Sequence, residues 1–293
     1  MEVTSPPEAF AKACDRARSD GHQVGLVPTM GALHAGHVSL LERARGECGF
    51  LTVSIFVNAL QFSSPDDLAA YPRTFERDRD VAVANGCDLL FAPSDQEMYP
   101  EGRPEVTVDP GPLGDRLEGA SRREHFRGVL TVVAKLFNLA GPCRAYFGEK
   151  DAQQLVLVRR MVADLNAPVV VVACPTVREP DGLAMSSRNA RLSLEERLAA
   201  PVLFDALSEA AGLVRRGESR ADVIRAAMAR TIGAEPLATL DYVAMVDDET
   251  WEDLAEIAGP ARALVAASLG GTRLIDNLAV PSVQNTRRAE ERI

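Results

Sequence analysis

The sequence predicts an α/β chain, a doubly wound parallel-sheet domain followed by a smaller α+β domain. Three observations carry this. Compact apolar runs alternate with helix-spaced segments as far as Cys174, and strands that alternate with helices imply parallel pairing. After Thr176 that alternation gives way to a long polar loop, two helical stretches and two strand-like runs. The 293 residues, 46% hydrophobic and 25% charged, suffice for two ordinary globular cores.

Taken in order, helical apolar spacing covers about residues 7 to 19, and Gly21 separates it from VGLVP at 24 to 28, a buried strand. GALHAGH then turns into a helix over 37 to 48, and FLTVSIFVN at 50 to 58 is a second buried strand. A helix at about 75 to 85 follows YPRT, and CDLLFAP at 87 to 93 is a third strand. The alternation continues with a helix from His125 to Leu139, a strand at 143 to 147, a helix from Asp151 to Leu165 and the strand PVVVVAC. A boundary near Thr176 divides the chain into domains at 1 to 176 and 177 to 293. Beyond it come the loop REPDGLAMSSRN, helices at about 193 to 215 and 218 to 231, and the strands LDYVAMV and ARALVAASL. The charged tail RRAEERI reads as disordered or as an exposed helix end.

A formal net charge of −10 argues against nucleic acid as a partner, since binding phosphate backbones needs a basic face. The five cysteines lie far apart with no CxxC pair, which indicates neither a zinc knuckle nor a disulfide framework and suits a reduced cytoplasmic compartment. MEVTSPPEAF lacks a basic segment followed by an apolar one, and the longest apolar runs are strand-sized, so neither targeting nor membrane insertion is expected.

The segment PTMGALHAGH from Pro28 to His37 follows what reads as the first sheet strand. In open α/β sheets ligands sit at the carboxyl ends of strands, where the next helix aims its first amides at an anion. Gly31 and Gly36 allow close backbone approach to phosphate, and His34 and His37 can aim two imidazoles at one spot. An isolated HxxH is more often a glycine turn with solvated histidines, but two of the four histidines in the chain fall at this one strand end. Zinc would need the glutamate of HExxH or further ligands, which are missing around the pair. Far phosphates call for cations, and Lys150 in FGEKD lies where a strand opens into a helix, with Asp151 as cap or polar contact. MSSRN at 185 to 189 offers two hydroxyls and an arginine on a loop expected to be flexible.

Together with FVNALQF, YPRTFERD, HFRGVLTVVAKLFN, FGEKDAQQL and MSSRNARLS, all in order between about Val24 and Leu192, PTMGALHAGH resembles the pantothenate synthetase (pantoate–β-alanine ligase) family, HxGH nucleotidyltransferases by superfamily. The resemblance implies a cytoplasmic, homodimeric ligase that makes pantothenate from ATP, pantoate and β-alanine by adenylation and then amide formation. It also implies a Rossmann-like domain with a C-terminal lid domain and magnesium alongside ATP.

Carried over by motif, the resemblance implies ATP contacts along Met30, Gly31, Ala32, Leu33, His34, Ala35, Gly36 and His37, with His37 as proton donor and His34 and Lys150 as its catalytic partners. Gly148, Glu149, Lys150 and Asp151 frame the nucleotide, Val177 sits beside adenine, and Met185, Ser186, Ser187 and Arg188 close over it. Gln61 and Gln154 match the pantoate glutamines, supported by Asn58, since a pocket for a hydroxyl-bearing acid rewards neutral bidentate groups. Asp78 is the magnesium-side carboxylate or else an acid on a helix surface, Arg122 is a weaker site candidate, His125 is a ligand or a helix-start residue, Lys135 and Tyr71 are supports, and Arg144 is structural. Two departures stand out. Ala59 replaces the proline of FVNPxQF, which is expected to loosen the Asn58 to Gln61 loop and weaken pantoate binding, and Arg191 replaces a common tyrosine. The rival reading is a nucleotidylyltransferase that stops at a stable nucleotidyl product.

Overall fold

The computed structural model describes residues 1–280, and the RRAEERI tail lies outside the described residues. It divides into two units, Met1–Thr176 and Val177–Ile293.

In the first unit, strands β1 (Glu2–Thr4), β2 (Val24–Thr29), β3 (Phe50–Ile55), β4 (Leu89–Phe91), β5 (Cys143–Gly148) and β6 (Val169–Cys174) form one sheet in the order β1-β4-β3-β2-β5-β6. Every pairing is parallel. Helices α1 (Pro7–Ser19), α2 (Ala35–Glu47), α3 (Pro65–Ala69), α4 (Phe75–Ala84), α5 (Asp95–Met98), α6 (Glu118–Ser121), α7 (His125–Ala140) and α8 (Ala152–Asp164) complete the unit. The α1 helix starts on Pro7, carries Glu8 in its first turn and ends with Arg16 and Arg18, complementing the helix dipole at both ends. On one face Leu40, Leu41 and Ala44 of α2 and Ala82 of α4 pack on Val27, Leu51, Val53 and Tyr146. α1 and α7 pack together against β2, and α8 joins α7 against β5 and β6. Layers on both faces explain why β2 and β4 read as continuous apolar runs.

β2 pairs with β3 on one side, Val24 opposite Phe50 through Thr29 opposite Ile55, and with β5 on the other. The chain order reverses there, so the loops after β2 and β5 leave neighbouring carboxyl ends. An open parallel sheet presents its ligand crevice at such a switch point.

The second unit is two-layered. Strands β7 (Ala238–Asp247), β8 (Ala261–Leu269) and β9 (Thr272–Val280) form an antiparallel sheet in that order, and helices α10 (Val202–Arg215) and α11 (Ala221–Gly233) pack on it. Its core joins Leu203, Leu207 and Val214 with Ile224, Met228, Met245, Val265 and Leu269. A short helix, α9 (Leu194–Ala199), opens with a capping box between Ser193 and Glu196.

Several elements differ from expectation. PTMGALHAGH follows the second strand rather than the first, because Glu2–Thr4 pairs with Leu89–Phe91, and three residues are too few to show a period. The helix expected over 193 to 215 is two helices, broken before α10 by Pro201, which lacks the N–H a continuous helix needs. Strand β9 also went unread, since TRLIDNLAV mixes charge into the apolar alternation that would mark it.

Candidate active site

The loop after β2 is built on strain that other residues hold. Gly31 has φ +81°, and Ala32 follows at φ +51°, a left-handed conformation that costs a non-glycine residue about 1–2 kcal/mol. Asp78, in the first turn of α4, offsets that cost: its Oδ2 accepts the Ala32 N–H at 2.9 Å and its Oδ1 the Leu33 N–H at 2.7 Å. Thr74 Oγ1 donates to the same carboxylate at 3.1 Å, and Asp78 is 1% exposed. Behind the loop, Thr29 Oγ1 donates to the Ser54 carbonyl and accepts the Gly31 N–H.

The histidines open α2 as a reciprocal cap, His34 at the N-cap and His37 at the third helical position. His34 Nδ1 accepts the Gly36 N–H at 3.1 Å, while His37 Nδ1 accepts the His34 N–H at 3.3 Å. Their rings lie 4.2 Å apart, centroid to centroid. Because each Nδ1 accepts a backbone N–H, each neutral ring carries its proton on Nε2, the nitrogen left for a ligand. Burial, then the charge of Lys150, lowers the His34 pKa from 6.5 to about 4. Burial, then His34 itself, lowers His37 to about 3. At neutral pH the pair is therefore two uncharged donors.

Glu149–Asp151 form a 3-10 turn after β5 that runs into α8. The Lys150 side chain is 18% exposed, with its ammonium 3.7 Å from Asp151 Oδ1. The pairing of β2 with β5 brings the turn that carries this cation and the loop that carries the imidazoles to adjacent strand ends, and its charge helps to lower both histidine pKa values. Gly148 closes β5.

Gln61 ends a second 3-10 turn, Ala59–Gln61, and is buried. Its Oε1 accepts Asn58 Nδ2 at 3.0 Å, and its Nε2 reaches Met30 Sδ at 3.1 Å. Asn58 is a buried support: Nδ2 also donates to the Gly128 carbonyl at 3.1 Å, and Oδ1 accepts the Tyr99 hydroxyl at 2.9 Å. His125 donates Nδ1–H to the Gln61 carbonyl at 2.8 Å, and Arg122 approaches the same oxygen at 3.3 Å and His125 Nε2 at 3.2 Å. Burial, followed by the Arg122 charge, takes His125 down to about 4. Lys135 lies over the Tyr99 ring at 5.4 Å, and Tyr71 packs edge-on against Phe62. Arg144 bonds Glu47 at 2.8 Å at the far end of α2, a structural contact.

Gln154 is half-buried on α8, whereas its neighbour Gln153 is buried and committed to the Leu113 and Arg116 carbonyls and the Glu118 N–H. Adjacent helix positions face different ways, so the two glutamines of the motif sit in different surroundings.

Described by itself, the second unit holds Val177, Met185, Ser186, Ser187 and Arg188 in one well-tethered segment rather than the flexible loop expected. The Met185 N–H donates to the Val177 carbonyl at 3.0 Å, and Ser186 Oγ caps a 3-10 turn by accepting the Arg188 N–H. Asn189 ties that turn to Glu179 and to the Ala184 carbonyl.

Neutral imidazoles beside a lysine at a switch point can bind and stabilise a phosphoryl group. The family model for pantoate–β-alanine ligase matches residues 2–279. The chain belongs to the pantoate–β-alanine ligase family. Among members of this ligase family, a pantothenate synthetase of Rubrobacter xylanophilus is 52% identical over 282 residues, covering 94% of this chain and 97% of its own. The crystal structure of pantothenate synthetase from Thermus thermophilus superposes with a TM-score of 0.89 at 50% identity, covering 96% of this chain and all of that one. A pantoate–β-alanine ligase from Francisella tularensis, complexed with β,γ-ATP and β-alanine, gives a TM-score of 0.79 at 33% identity, over 95% of this chain and 97% of that one.

Of the two expectations for Asp78, the acid on a helix surface is overturned, since the side chain is buried. Both of its oxygens already serve the loop after β2, and among the described residues no three His, Cys, Asp or Glu side chains gather as a metal site. Gly128 and Tyr99 were not read as site residues. Gly128 left a signal, a glycine inside an otherwise strong helical segment, which marks close approach of another backbone.

Proposed function

We propose that this chain condenses pantoate with β-alanine at the expense of ATP, through a pantoyl adenylate. The observation that carries the reading is the pair of Nε2–H donors of His34 and His37, oriented by a reciprocal helix cap and kept uncharged by burial, at the sheet's switch point with Lys150 on the adjacent strand end.

In the first step a pantoate carboxylate oxygen attacks the α-phosphorus of ATP, the bond to the β-phosphate bridge breaks, and pyrophosphate leaves. Charge spreads over the phosphate oxygens, so the protein's contribution is positioning and electrostatic stabilisation. Lys150 supplies the positive charge. His34 and His37 supply directed N–H donors, and His37 acts by hydrogen bonding rather than as an imidazolium, since its folded pKa of about 3 leaves it neutral. The loop from Met30 to His37 and the turn from Gly148 to Asp151 receive the nucleotide. Magnesium enters bound to the ATP phosphates, as part of the substrate.

Gln61 and Gln154 hold the pantoate hydroxyls and carboxylate, and Asn58 keeps Gln61 in place. In the second step the neutral β-alanine amine attacks the acyl carbon, the bond from that carbon to the AMP oxygen breaks, and the nitrogen gives up one proton as the amide forms. No enzyme nucleophile is required, in keeping with the five free cysteines all being buried. From the resemblance, Val177 serves adenine and Met185 to Arg188 serve the phosphates, while the second unit acts as the lid, in a cytoplasmic homodimer. No described helix is long and apolar enough to cross a membrane.

Pyrophosphate exchange into ATP tests the first step. Exchange should require pantoate and proceed without β-alanine. Exchange without pantoate, or none with it, would remove the adenylate from the mechanism. A stable nucleotidyl product with no β-alanine dependence would favour the nucleotidylyltransferase reading.

A further inference from the structure

We propose that the buried ion pair of Arg178 and Asp276 is a positioning device for the segment Met185–Arg188, so that both residues set ATP affinity through that segment. The proposal rests on the reading above that Ser186 to Arg188 serve ATP.

Arg178 follows Val177 directly and is the anchored point of a hairpin. Its backbone bridges Ala184 in antiparallel register, the Glu179 N–H donates to the Leu183 carbonyl at 2.8 Å, and the Met185 N–H donates to the Val177 carbonyl at 3.0 Å. Wherever the Arg178 backbone is held, Met185 is held opposite it, and Ser186 is the next residue.

The guanidinium supplies that hold. It bonds Asp276 of β9 through two parallel contacts, Nη1 to Oδ2 at 2.6 Å and Nη2 to Oδ1 at 3.0 Å, and the Asp276 side chain is 2% exposed. Nη1 also donates to the Gly182 carbonyl at the hairpin tip at 3.0 Å, and Nη2 to the Asn277 carbonyl at 3.2 Å. The Phe204 ring of α10 lies 4.4 Å below the guanidinium carbon. Gly182, at φ +93°, sits so close to that ring that a Cβ would come 2.8 Å from Phe204 Cε1. One planar fork thus ties the hairpin's first strand and its tip to both layers of the second unit.

Two further tethers converge on the hairpin. Arg197 of α9 reaches Glu179 at 2.5 Å and Asp181 at 2.6 Å, and Asn189 joins Glu179 to the turn that follows Ser186. The serine–arginine segment is a short link between two fastened pieces. A buried ion pair contributes little net stability compared with a well-packed apolar pair, whereas a bidentate fork specifies orientation. Stability and ATP affinity should therefore separate when the pair is replaced.

The decisive variant combines Arg178→Met with Asp276→Leu, read by thermal melting and by KM values in pyrophosphate exchange. The expected result is a melting temperature near that of the unaltered chain, an ATP KM raised roughly tenfold from lost orientation, and a pantoate KM within about twofold. A folded double variant with unchanged ATP KM overturns the proposal. Should that variant fail to fold, Arg178→Lys keeps the charge and loses the fork, and an ATP KM unchanged there overturns it equally. Arg188→Ala separates this inference from the reading beneath it. A raised ATP KM in Arg188→Ala with none in the pair variants sinks the positioning role alone. No effect of Arg188→Ala sinks the assignment of the segment to ATP.

Discussion

The Asp78 carboxylate accepts the backbone N–H of Leu33 at 2.7 Å from forty-five residues along the chain, and that bond keeps the left-handed turn before His34 in place. A charge-assisted bond to a buried acceptor contributes about 1.5–3 kcal/mol. Asp78→Asn keeps the shape, but its amide nitrogen cannot accept, so one of the two loop amides loses its partner. We expect a loss of about 1–3 kcal/mol in chemical denaturation and a raised ATP KM. The dependence of rate on magnesium concentration should stay as it is; a shift in that dependence would return Asp78 to the metal.

The histidines make a prediction about pH. His34, His37 and His125 have folded pKa values of about 4, 3 and 4, below the 6.5 of the free side chain. As pH falls through 6.5 the unfolded chain takes up protons first, so protonation favours unfolding. Stability is complete above that value and declines from about pH 6.5 towards 4 and 3. Urea denaturation at pH 7.5 and 5.5 should already differ, a window too high for ordinary carboxylates to account for. In kcat/KM for ATP, neither His34 nor His37 should contribute an inflection between about pH 6 and 8. An inflection near 6.5 that disappears in His37→Ala would show that the ring charges in the free enzyme.

How much of this was legible before the fold depended on how local each cause was. The strand ends, the HxxH turn and the lysine after β5 could be read because each is set by a few consecutive residues. Asp78 stayed ambiguous, since an acid in the first turn of an amphipathic helix looks the same whether it meets solvent, a metal or two amides from a distant loop, and it is the amides that the fold supplies. Gln153 and Gln154 are indistinguishable by type, and only the helix position of each separates the buried clamp from the half-buried amide. Tyr99 and Asp276 gave no signal because their partners, Asn58 and Arg178, lie 41 and 98 positions away.

Gly128 is where α7 meets the turn that carries Gln61. A Cβ added there would run into the Leu60 carbonyl and lie 2.7 Å from the Gln61 nitrogen. The neighbour is backbone, so the turn itself must move. Gly128→Ala should raise the pantoate KM strongly, by roughly the hundredfold that an ångström-scale misplacement can cost, while the ATP KM changes little. Asn58→Ala should weaken pantoate in the same direction without the steric push. Equal effects of Gly128→Ala on both substrates would mean that the helix rather than the Gln61 turn has failed.

Ala59 is one of the two residues that depart from the family pattern, and the structure alters what is expected of it. The turn it begins is held from several sides, by Asn58 through Gly128 and Tyr99 and by His125 on the Gln61 carbonyl, so the missing proline leaves it braced. Ala59 is also the first residue of a 3-10 turn, a position whose N–H has no partner inside the turn and where proline is at home. Asn58 before it sits at φ −78° and ψ 105°, extended backbone that a following proline tolerates. Restoring the ring should therefore act on the unfolded chain. Ala59→Pro is expected to stabilise the protein by about 0.4–1 kcal/mol in chemical denaturation, with the pantoate KM unchanged within about twofold. A large fall in that KM would show instead that the turn is loose in the absence of proline and that pantoate binding is limited by it.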